Sequence, residues 1–230
     1  MQPHSGQPVE VAGPPLDESD GLRPADGLED AVDRRVVVIM AHGRGASPRD
    51  ILSLRHEIDH PGITYLAPAA AGNTWYPHSF LEDKSLNEPG LSSGLHVIGQ
   101  LVDDVEARGI PRSQIVLLGF SQGACLVSEF AVRNAARYGG VIAFSGGLIG
   151  PPGTTWEFEG SFEGTPVFLG CSDRDPHIPL ERVAESAAVF ERMGAAVTKR
   201  IYPRMGHTVN QDEIVFTRDL LSELLTGHVA

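Results

Sequence analysis

The sequence predicts an α/β fold, with a mostly parallel sheet of about six to seven strands and helices on both of its faces. Continuous apolar runs of strand length alternate with segments whose apolar residues recur at helical spacing, as in a parallel sheet buried on both sides. The clearest case is the run 115–118, which leads through Gly119-Phe120-Ser121-Gln122-Gly123 into a helical segment. Right-handed crossovers bring the ends of all such strands to one edge, where ligands bind in open α/β sheets.

The periodicity assigns each element in order. Strands are predicted at residues 36–41, 63–67, 115–119, 141–144, 166–171 and 197–202. Helices are predicted at residues 48–60, 92–108, 180–193 and 211–225, and a further helix runs from the turn at Ser121 to about residue 138. The first helix begins at Ser47-Pro48, an N-cap with proline at the first helical position, and stops at Pro61. The long connection 68–91 carries Trp75, Tyr76 and Phe80, so we expect it to form a pocket wall.

The chain of 230 residues is predicted to form one folded domain, residues 35–230, preceded by a tail. Residues 1–34 hold eight acidic residues against two arginines, which gives them −6 of the net charge of −12. They are also rich in proline and glycine, so we expect a disordered acidic tail. A docking arm for a partner is the alternative, although the sequence names no partner for it.

Composition excludes several classes of function. An acidic protein without a basic stripe is not expected to bind nucleic acid. Its apolar runs are too short to span a bilayer, and its N-terminus does not resemble a signal peptide. Two cysteines do not make a disulfide framework, which indicates a cytoplasmic protein. The sequence leaves open whether the chain forms a homodimer.

The loops after three of the strands carry the residues of a nucleophilic site. A serine hydroxyl needs a base to take its proton and an acid to orient that base. Ser121, one of Asp173 or Asp175, and His207 supply these groups in the order Ser, Asp, His. We choose Asp175, which precedes Pro176, as the acid, and expect the other aspartate to cap a turn.

A developing oxyanion requires two N–H donors that are already in position. A serine in a strand-turn-helix provides one through the next residue, here the backbone N–H of Gln122 at the start of its helix. The second donor is expected from the loop His42-Gly43-Arg44-Gly45, and we assign it to the N–H of Arg44. His42 itself is expected to shape this loop.

Taken together, these motifs resemble the phospholipase/carboxylesterase family of α/β-hydrolases, which includes the acyl-protein thioesterases. The matching residues are Trp75 and the motifs His42-Gly43-x-Gly45, Gly119-Phe120-Ser121-Gln122-Gly123-Ala124, Asp175-Pro176-x-Ile178-Pro179 and Gly206-His207, across roughly residues 36–226. The resemblance implies an α/β-hydrolase fold and hydrolysis of carboxylic esters or thioesters without a metal or cofactor.

Two departures from the family pattern favour a small or medium ester as the substrate. Arg44 stands where the family has an apolar residue, and Tyr76-Pro77 follow Trp75. We hypothesise that Arg44 contacts an anionic group of the substrate. The alternatives are an acyl-protein thioesterase or lysophospholipase acting on longer acyl chains, and a hydrolase-like binding protein without catalysis. The predicted substrate-binding residues are Trp75, Tyr76, Phe144, Leu148, Ile149 and His177.

A histidine motif and two cysteines are the remaining residues with possible chemical roles. His56-Glu57-Ile58-Asp59-His60 matches the zinc-protease motif H-E-x-x-H, but it lies off the apolar face of its predicted helix and lacks an evident third ligand. No metal is therefore expected. Cys125 and Cys171 are interpreted as small packing residues, with oxidation of Cys171 as the alternative.

Overall fold

The computed structural model describes residues 2–16 and 35–227, and its centre is a seven-stranded sheet. The strands are β1 (Val9–Ala12), β2 (Val36–Ala41), β3 (Ile63–Pro68), β4 (Ile115–Phe120), β5 (Gly140–Phe144), β6 (Pro166–Ser172) and β7 (Ala196–Tyr202). They lie in the order β1-β3-β2-β4-β5-β6-β7. Strands β2 to β7 are parallel, and β1 pairs antiparallel with β3 at the edge. The predicted α/β class and mostly parallel sheet are confirmed.

Helices cover both faces of this sheet. They are α1 (Pro48–Leu52), α2 (Arg55–Ile58), α3 (Gly90–Ala107), α4 (Gln122–Arg133), α5 (Leu180–Arg192) and α6 (Gln211–Thr226). Alternate residues of β2 point to opposite faces: Val37 and Ile39 belong to the core between the sheet and α3, α4 and α5, whereas Val38 and Met40 belong to the core between the sheet and α1, α2 and α6. This two-sided burial explains why the central strands are apolar throughout.

The helix predicted at 48–60 is broken in two. Ser47 and Pro48 begin α1 as expected, and the Ser47 N–H donates to the Asp50 carboxylate at 2.8 Å. The break follows at Ser53, whose hydroxyl donates to the Asp50 carbonyl at 2.7 Å. A serine that bonds its neighbouring backbone competes with the helical pattern, so the chain restarts as α2 at Arg55.

The expectation of a disordered tail over residues 1–34 is wrong for residues 2–16. Val9–Ala12 form β1, whose residues pair with Tyr65–Pro68 of β3. His4 is 3% exposed, and Thr64 donates to the Pro14 carbonyl at 2.7 Å. The backbone of β3 offers an unpaired edge, and pairing with it satisfies hydrogen bonds that composition does not reveal. Residues 17–34, where most of the acidic residues lie, are outside the described residues.

Among the helices of residues 2–16 and 35–227, none combines the length and apolar character that crossing a membrane requires.

Candidate active site

Ser121 lies in the turn between β4 and α4, with φ 55° and ψ −119°. Residues with a side chain seldom adopt a positive φ, so this backbone is held in place by its surroundings. Two glycines allow the turn to pack. A Cβ on Gly123 would lie 2.0 Å from the Ala41 oxygen, and one on Gly119 would lie 2.4 Å from the backbone of Gly123. Neighbouring backbone therefore leaves no room for a side chain at either position.

A continuous chain of hydrogen bonds joins Ser121, His207 and Asp175. The Ser121 hydroxyl oxygen lies 2.8 Å from His207 Nε2, and His207 Nδ1 lies 2.7 Å from Asp175 Oδ2. These residues come from loops after β4, β7 and β6, which the parallel sheet brings to one edge. The His207 side chain is 17% exposed, whereas that of Asp175 is fully buried.

The surroundings of Asp175 keep it ionised. Burial alone would raise the pKa of its carboxyl, but hydrogen bonds from His207 and from the N–H groups of His177 and Ile178 outweigh burial and lower that pKa. An ionised Asp175 accepts the proton of His207 Nδ1–H. His207 Nε2 is then unprotonated in the neutral ring and accepts the Ser121 hydroxyl proton.

The neighbouring residues Ser172 and Asp173 brace the loop that carries His207. Asp173 Oδ1 accepts the Arg204 N–H at 2.7 Å, and the Ser172 hydroxyl accepts the Gly206 N–H at 3.2 Å. Asp173 therefore fixes a turn, and Asp175 is the aspartate that lies against His207.

Two residues that line the same cavity as Ser121 carry the backbone amides predicted to stabilise an oxyanion, Gln122 and Arg44. Gln122 is the first residue of α4, so its N–H lies at the positive end of that helix. In the described part of the chain, no hydrogen bond occupies the Arg44 N–H. The Gln122 side chain has a second task that the sequence did not indicate: it accepts the Trp75 N–H at 2.9 Å and donates to the Tyr76 oxygen at 2.8 Å.

His42 is a structural part of the loop after β2. Its Nε2 accepts the Ala70 N–H at 3.2 Å, so its Nδ1–H donates to the Gly43 oxygen at 2.8 Å. Burial lowers the pKa of His42, which agrees with this neutral form. The His42 carbonyl accepts the Trp75 indole N–H at 2.9 Å, and the two rings lie 5.1 Å apart.

The N-terminal segment reaches this same network through His4. Nδ1 of His4 accepts the Ala71 N–H at 3.0 Å, so Nε2–H donates to the Trp75 oxygen at 2.8 Å. The His4 backbone N–H donates to the Ser93 hydroxyl at 2.9 Å. His4 thus braces the backbone of Trp75 from outside, while Gln122 holds it from the side of the site.

The candidate site opens into a cavity of about 490 Å³. Its described lining residues are Gly43, Arg44, Ala46, Tyr76, Pro77, His78, Ser79, Phe80, Phe120, Ser121, Gln122, Cys125, His177, Ile178 and His207. Of the predicted substrate-binding residues, Tyr76 and His177 are on this wall. The Phe120 ring lies 5.0 Å from that of His207, and the His177 ring lies 4.8 Å from it.

The other four predicted substrate-binding residues lie away from the cavity wall. Trp75, Phe144, Leu148 and Ile149 are all fully buried and do not line the cavity. Trp75 packs behind the wall and supports it, and Phe144 packs against Phe168 on the opposite side of the sheet. The sequence locates residues after strands, but it does not say which of them turn inward to the core.

Both cysteines are poor nucleophiles. Burial raises the pKa of Cys125 to about 12, although this residue contributes to the cavity wall. Burial also raises the pKa of Cys171 to about 12, with a further contribution from Asp175, whose Oδ2 lies 3.8 Å from its sulfur. The thiolate is the reactive form of cysteine, so packing is the role that these environments favour.

The H-E-x-x-H sequence does not form a metal-binding helix face. His56 lies on α2, but that helix ends at Ile58, and His60 Nδ1 accepts the Gly62 N–H at 3.1 Å. Over residues 2–16 and 35–227, no group of three His, Cys, Asp or Glu side chains is placed to hold a metal ion.

A profile of the phospholipase/carboxylesterase family matches residues 29–225. The chain belongs to this family. The description of this family names hydrolases that act on esters.

Individual members of the family are similar over different lengths. The solved phospholipase/carboxylesterase from Dyadobacter fermentans is 39% identical, with a TM-score of 0.85 over 96% of this chain and 99% of that one. Acyl-protein thioesterase 1 of Saccharomyces cerevisiae is 28% identical over 85% of this chain and 94% of its own length. Acyl-protein thioesterase 1 of Kluyveromyces lactis is 30% identical over 62% of this chain, and the match spans less than two thirds of its length, 64%.

Proposed function

We propose that the protein is a serine carboxylesterase that hydrolyses small to medium carboxylic esters through an acyl-enzyme. The observation that carries the proposal is the chain of hydrogen bonds from Asp175 through His207 to Ser121, with distances of 2.7 and 2.8 Å, in which His207 and Ser121 line a cavity. A buried carboxylate, an oriented imidazole and a hydroxyl in this order are the parts of a serine nucleophile.

In the first half of the reaction, His207 Nε2 takes the Ser121 proton as the serine oxygen attacks the ester carbonyl carbon. Asp175 stabilises the imidazolium that results. The oxyanion accepts hydrogen bonds from the N–H groups of Gln122 and Arg44, each typically worth about 100- to 1,000-fold in rate. His207 then protonates the departing alcohol as its bond to carbon breaks, which leaves the acyl group on Ser121.

In the second half, a water molecule attacks the acyl carbon while His207 takes one of its protons. The same two N–H groups stabilise the second oxyanion. When the ester bond to Ser121 breaks, His207 returns the proton to the serine oxygen and the carboxylic acid leaves. These steps require no metal or cofactor, because His207 carries out every proton transfer and the two N–H groups stabilise the negative charge.

The size and character of the cavity support small to medium substrates. At about 490 Å³ it lies within the usual range for small-ligand sites, and Phe80, Phe120 and Ile178 give it apolar walls. Action on long acyl chains, as an acyl-protein thioesterase or lysophospholipase, is the second candidate because the yeast relatives are named acyl-protein thioesterases. A series of p-nitrophenyl esters separates them: we expect kcat/KM to peak at short or medium chains, whereas a maximum at palmitate favours the second candidate.

Replacement of Ser121 by alanine tests catalysis itself. Hydrolysis of p-nitrophenyl acetate should fall by about 10⁴- to 10⁶-fold with the circular dichroism spectrum and thermal midpoint retained. Ser222→Ala, at an exposed position on α6, is the matched control and should keep full activity. Turnover retained in Ser121→Ala would refute the proposal, and ester binding without turnover in the unchanged protein would indicate a non-catalytic binding protein.

We also infer that the protein works in the cytoplasm. Cys125 and Cys171 are both free thiols within the core. Free buried cysteines are typical of proteins kept in a reducing compartment, which supports this location.

A further inference from the structure

The charge of the cavity wall is opposite to that of the protein as a whole. The chain carries a net charge of −12, yet no aspartate or glutamate is among the described residues that line the cavity. The basic side chains on the described wall of the cavity are those of Arg44, His78, His177 and His207. A cleft lined by one sign of charge concentrates ligands of the other sign.

Arg44 is held in place by neutral groups. Its Nη1 donates to the Pro77 oxygen at 2.8 Å and its Nη2 donates to the His78 oxygen at 2.5 Å. The guanidinium also lies over the Tyr76 ring, 5.9 Å from its centre. Two of its five N–H donors are occupied in this way, and the others are available to a ligand.

The positive charge of Arg44 is not balanced within the protein. Across residues 2–16 and 35–227, no carboxylate lies within ion-pair distance of its guanidinium, whereas Arg112, Arg133, Arg182 and Arg200 each pair with an acidic side chain. The carbonyls of Pro77 and His78 fix the group without neutralising it. A cation held rigid at a site mouth binds an anion with little further loss of conformational freedom.

We propose that the site prefers esters whose acyl group carries a second, ionised carboxylate, that is, half-esters of short dicarboxylic acids. This inference rests on the proposed function, because it concerns the substrate of the same serine. The backbone N–H of Arg44 faces the reacting carbonyl, and its side chain binds the distant carboxylate. One residue serves both groups, so the two carboxyl carbons of the substrate must lie within the reach of an arginine side chain.

Matched substrates test the charge alone. Monoethyl succinate carries the carboxylate, and ethyl 4-oxopentanoate has a neutral methyl ketone of similar shape at the same position. We expect the unchanged protein to favour the anionic ester in kcat/KM by about fivefold, which is the upper range for one exposed ion pair. The preference should fall when the salt concentration rises from about 0.05 to about 0.5 M, because salt screens exposed charges.

The variant Arg44→Leu should bring the ratio of the two kcat/KM values close to one. The ratio is the proper measure, since loss of the bonds to Pro77 and His78 slows both esters. Arg49→Leu is the matched control: it removes the same charge from an exposed position on α1, outside the cavity, and should leave the ratio unchanged. Arg44→Lys keeps the charge and should retain part of the preference if Arg44→Leu does not fold.

A ratio at or below one in the unchanged protein would overturn the inference, as would a ratio that Arg44→Leu leaves unaltered. Failure of the proposed function looks different. In that case neither ester is hydrolysed and no acyl-serine forms, whereas a protein that hydrolyses both esters equally remains an esterase without this selectivity.

Discussion

Glu213 is a fully buried carboxyl group, and its ionisation should govern how the stability of the protein changes with pH. It lies in the first turn of α6. Its Oε2 accepts the Asn210 N–H at 2.8 Å, whereas its Oε1 has no hydrogen-bond partner among the described residues. Burial raises the pKa of Glu213 from 4.5 to about 7, partly offset by the Asn210 bond and increased by the charge of Asp212.

The sign of the effect follows from proton linkage. Between the unfolded pKa of 4.5 and the folded value of about 7, the folded protein holds a proton that the unfolded chain has released. Stability therefore falls as the pH rises through this window, and the full penalty is present above pH 7. An increase of this size in the pKa lowers the free energy of unfolding by about 3 kcal/mol at high pH. Below the unfolded pKa the effect almost disappears.

The variant Glu213→Gln removes the ionisation and keeps an oxygen to accept the Asn210 N–H. The variant should gain stability relative to the unchanged protein as the pH rises. The difference between their free energies of unfolding should be about 2 to 3 kcal/mol larger at about pH 8 than at about pH 5. Urea denaturation at both pH values measures this. Glu181→Gln, at an exposed glutamate in the first turn of α5, should shift stability equally at both. A pH-independent difference for Glu213→Gln would refute the reasoning.

Two further substitutions test the backbone that holds the site. Gly123→Ala should cost more than about 3 kcal/mol, because its Cβ would lie 2.0 Å from the Ala41 oxygen; unchanged urea denaturation would contradict this close packing. His4→Ala should lower the free energy of unfolding by about 1–3 kcal/mol, because it releases the Trp75 backbone that Gln122 also holds. The same change should reduce kcat and have a smaller effect on KM. His4→Gln, which can both donate and accept, should recover part of kcat; loss of stability without any loss of kcat would show that His4 has no effect on the site.

The sheet and the serine turn were predictable because each depends on local sequence. Strands that are buried on both faces must be apolar throughout. The strand before Ser121 is therefore easy to recognise between the more polar segments that flank it in the sequence. The requirement for Gly119 and Gly123 is equally local, since the turn brings backbone against backbone. Parallel strands end at the same edge of a sheet, so the loops after β4, β6 and β7 were expected to meet, and the positions of Asp175 and His207 beside Ser121 agree with this expectation.

The N-terminal strand was not predictable because its stabilisation comes from distant residues. Val9–Ala12 contain only four residues and follow a polar, proline-containing start, so composition favours disorder. Pairing with the edge of β3 and burial of His4 between Ala71 and Trp75 decide the outcome. Neither partner is near in sequence, and contacts of this kind leave no periodic signal.

The cavity wall was only partly predictable for a related reason. An aromatic or aliphatic residue after a strand serves equally well in the core and in a substrate wall, so hydrophobicity did not separate Trp75 from Tyr76. Phe80 was recognised as part of the aromatic loop, and Pro77 was noted only as a departure from the family pattern. Neither Pro77 nor its exposed neighbour His78 was predicted to line the pocket, because polar or kinked loop residues carry no signal for a pocket. Their place at the mouth follows from the bonds of Arg44 to their carbonyls.

The central claim is that Ser121 is the nucleophile, and covalent labelling tests it most directly. The protein is treated with a fluorophosphonate, digested and mapped by mass spectrometry, alongside the Ser121→Ala variant. We predict one adduct, on the peptide that contains Ser121, and loss of that adduct together with esterase activity in the variant. Labelling at another residue, or hydrolysis that survives without Ser121, would contradict the account.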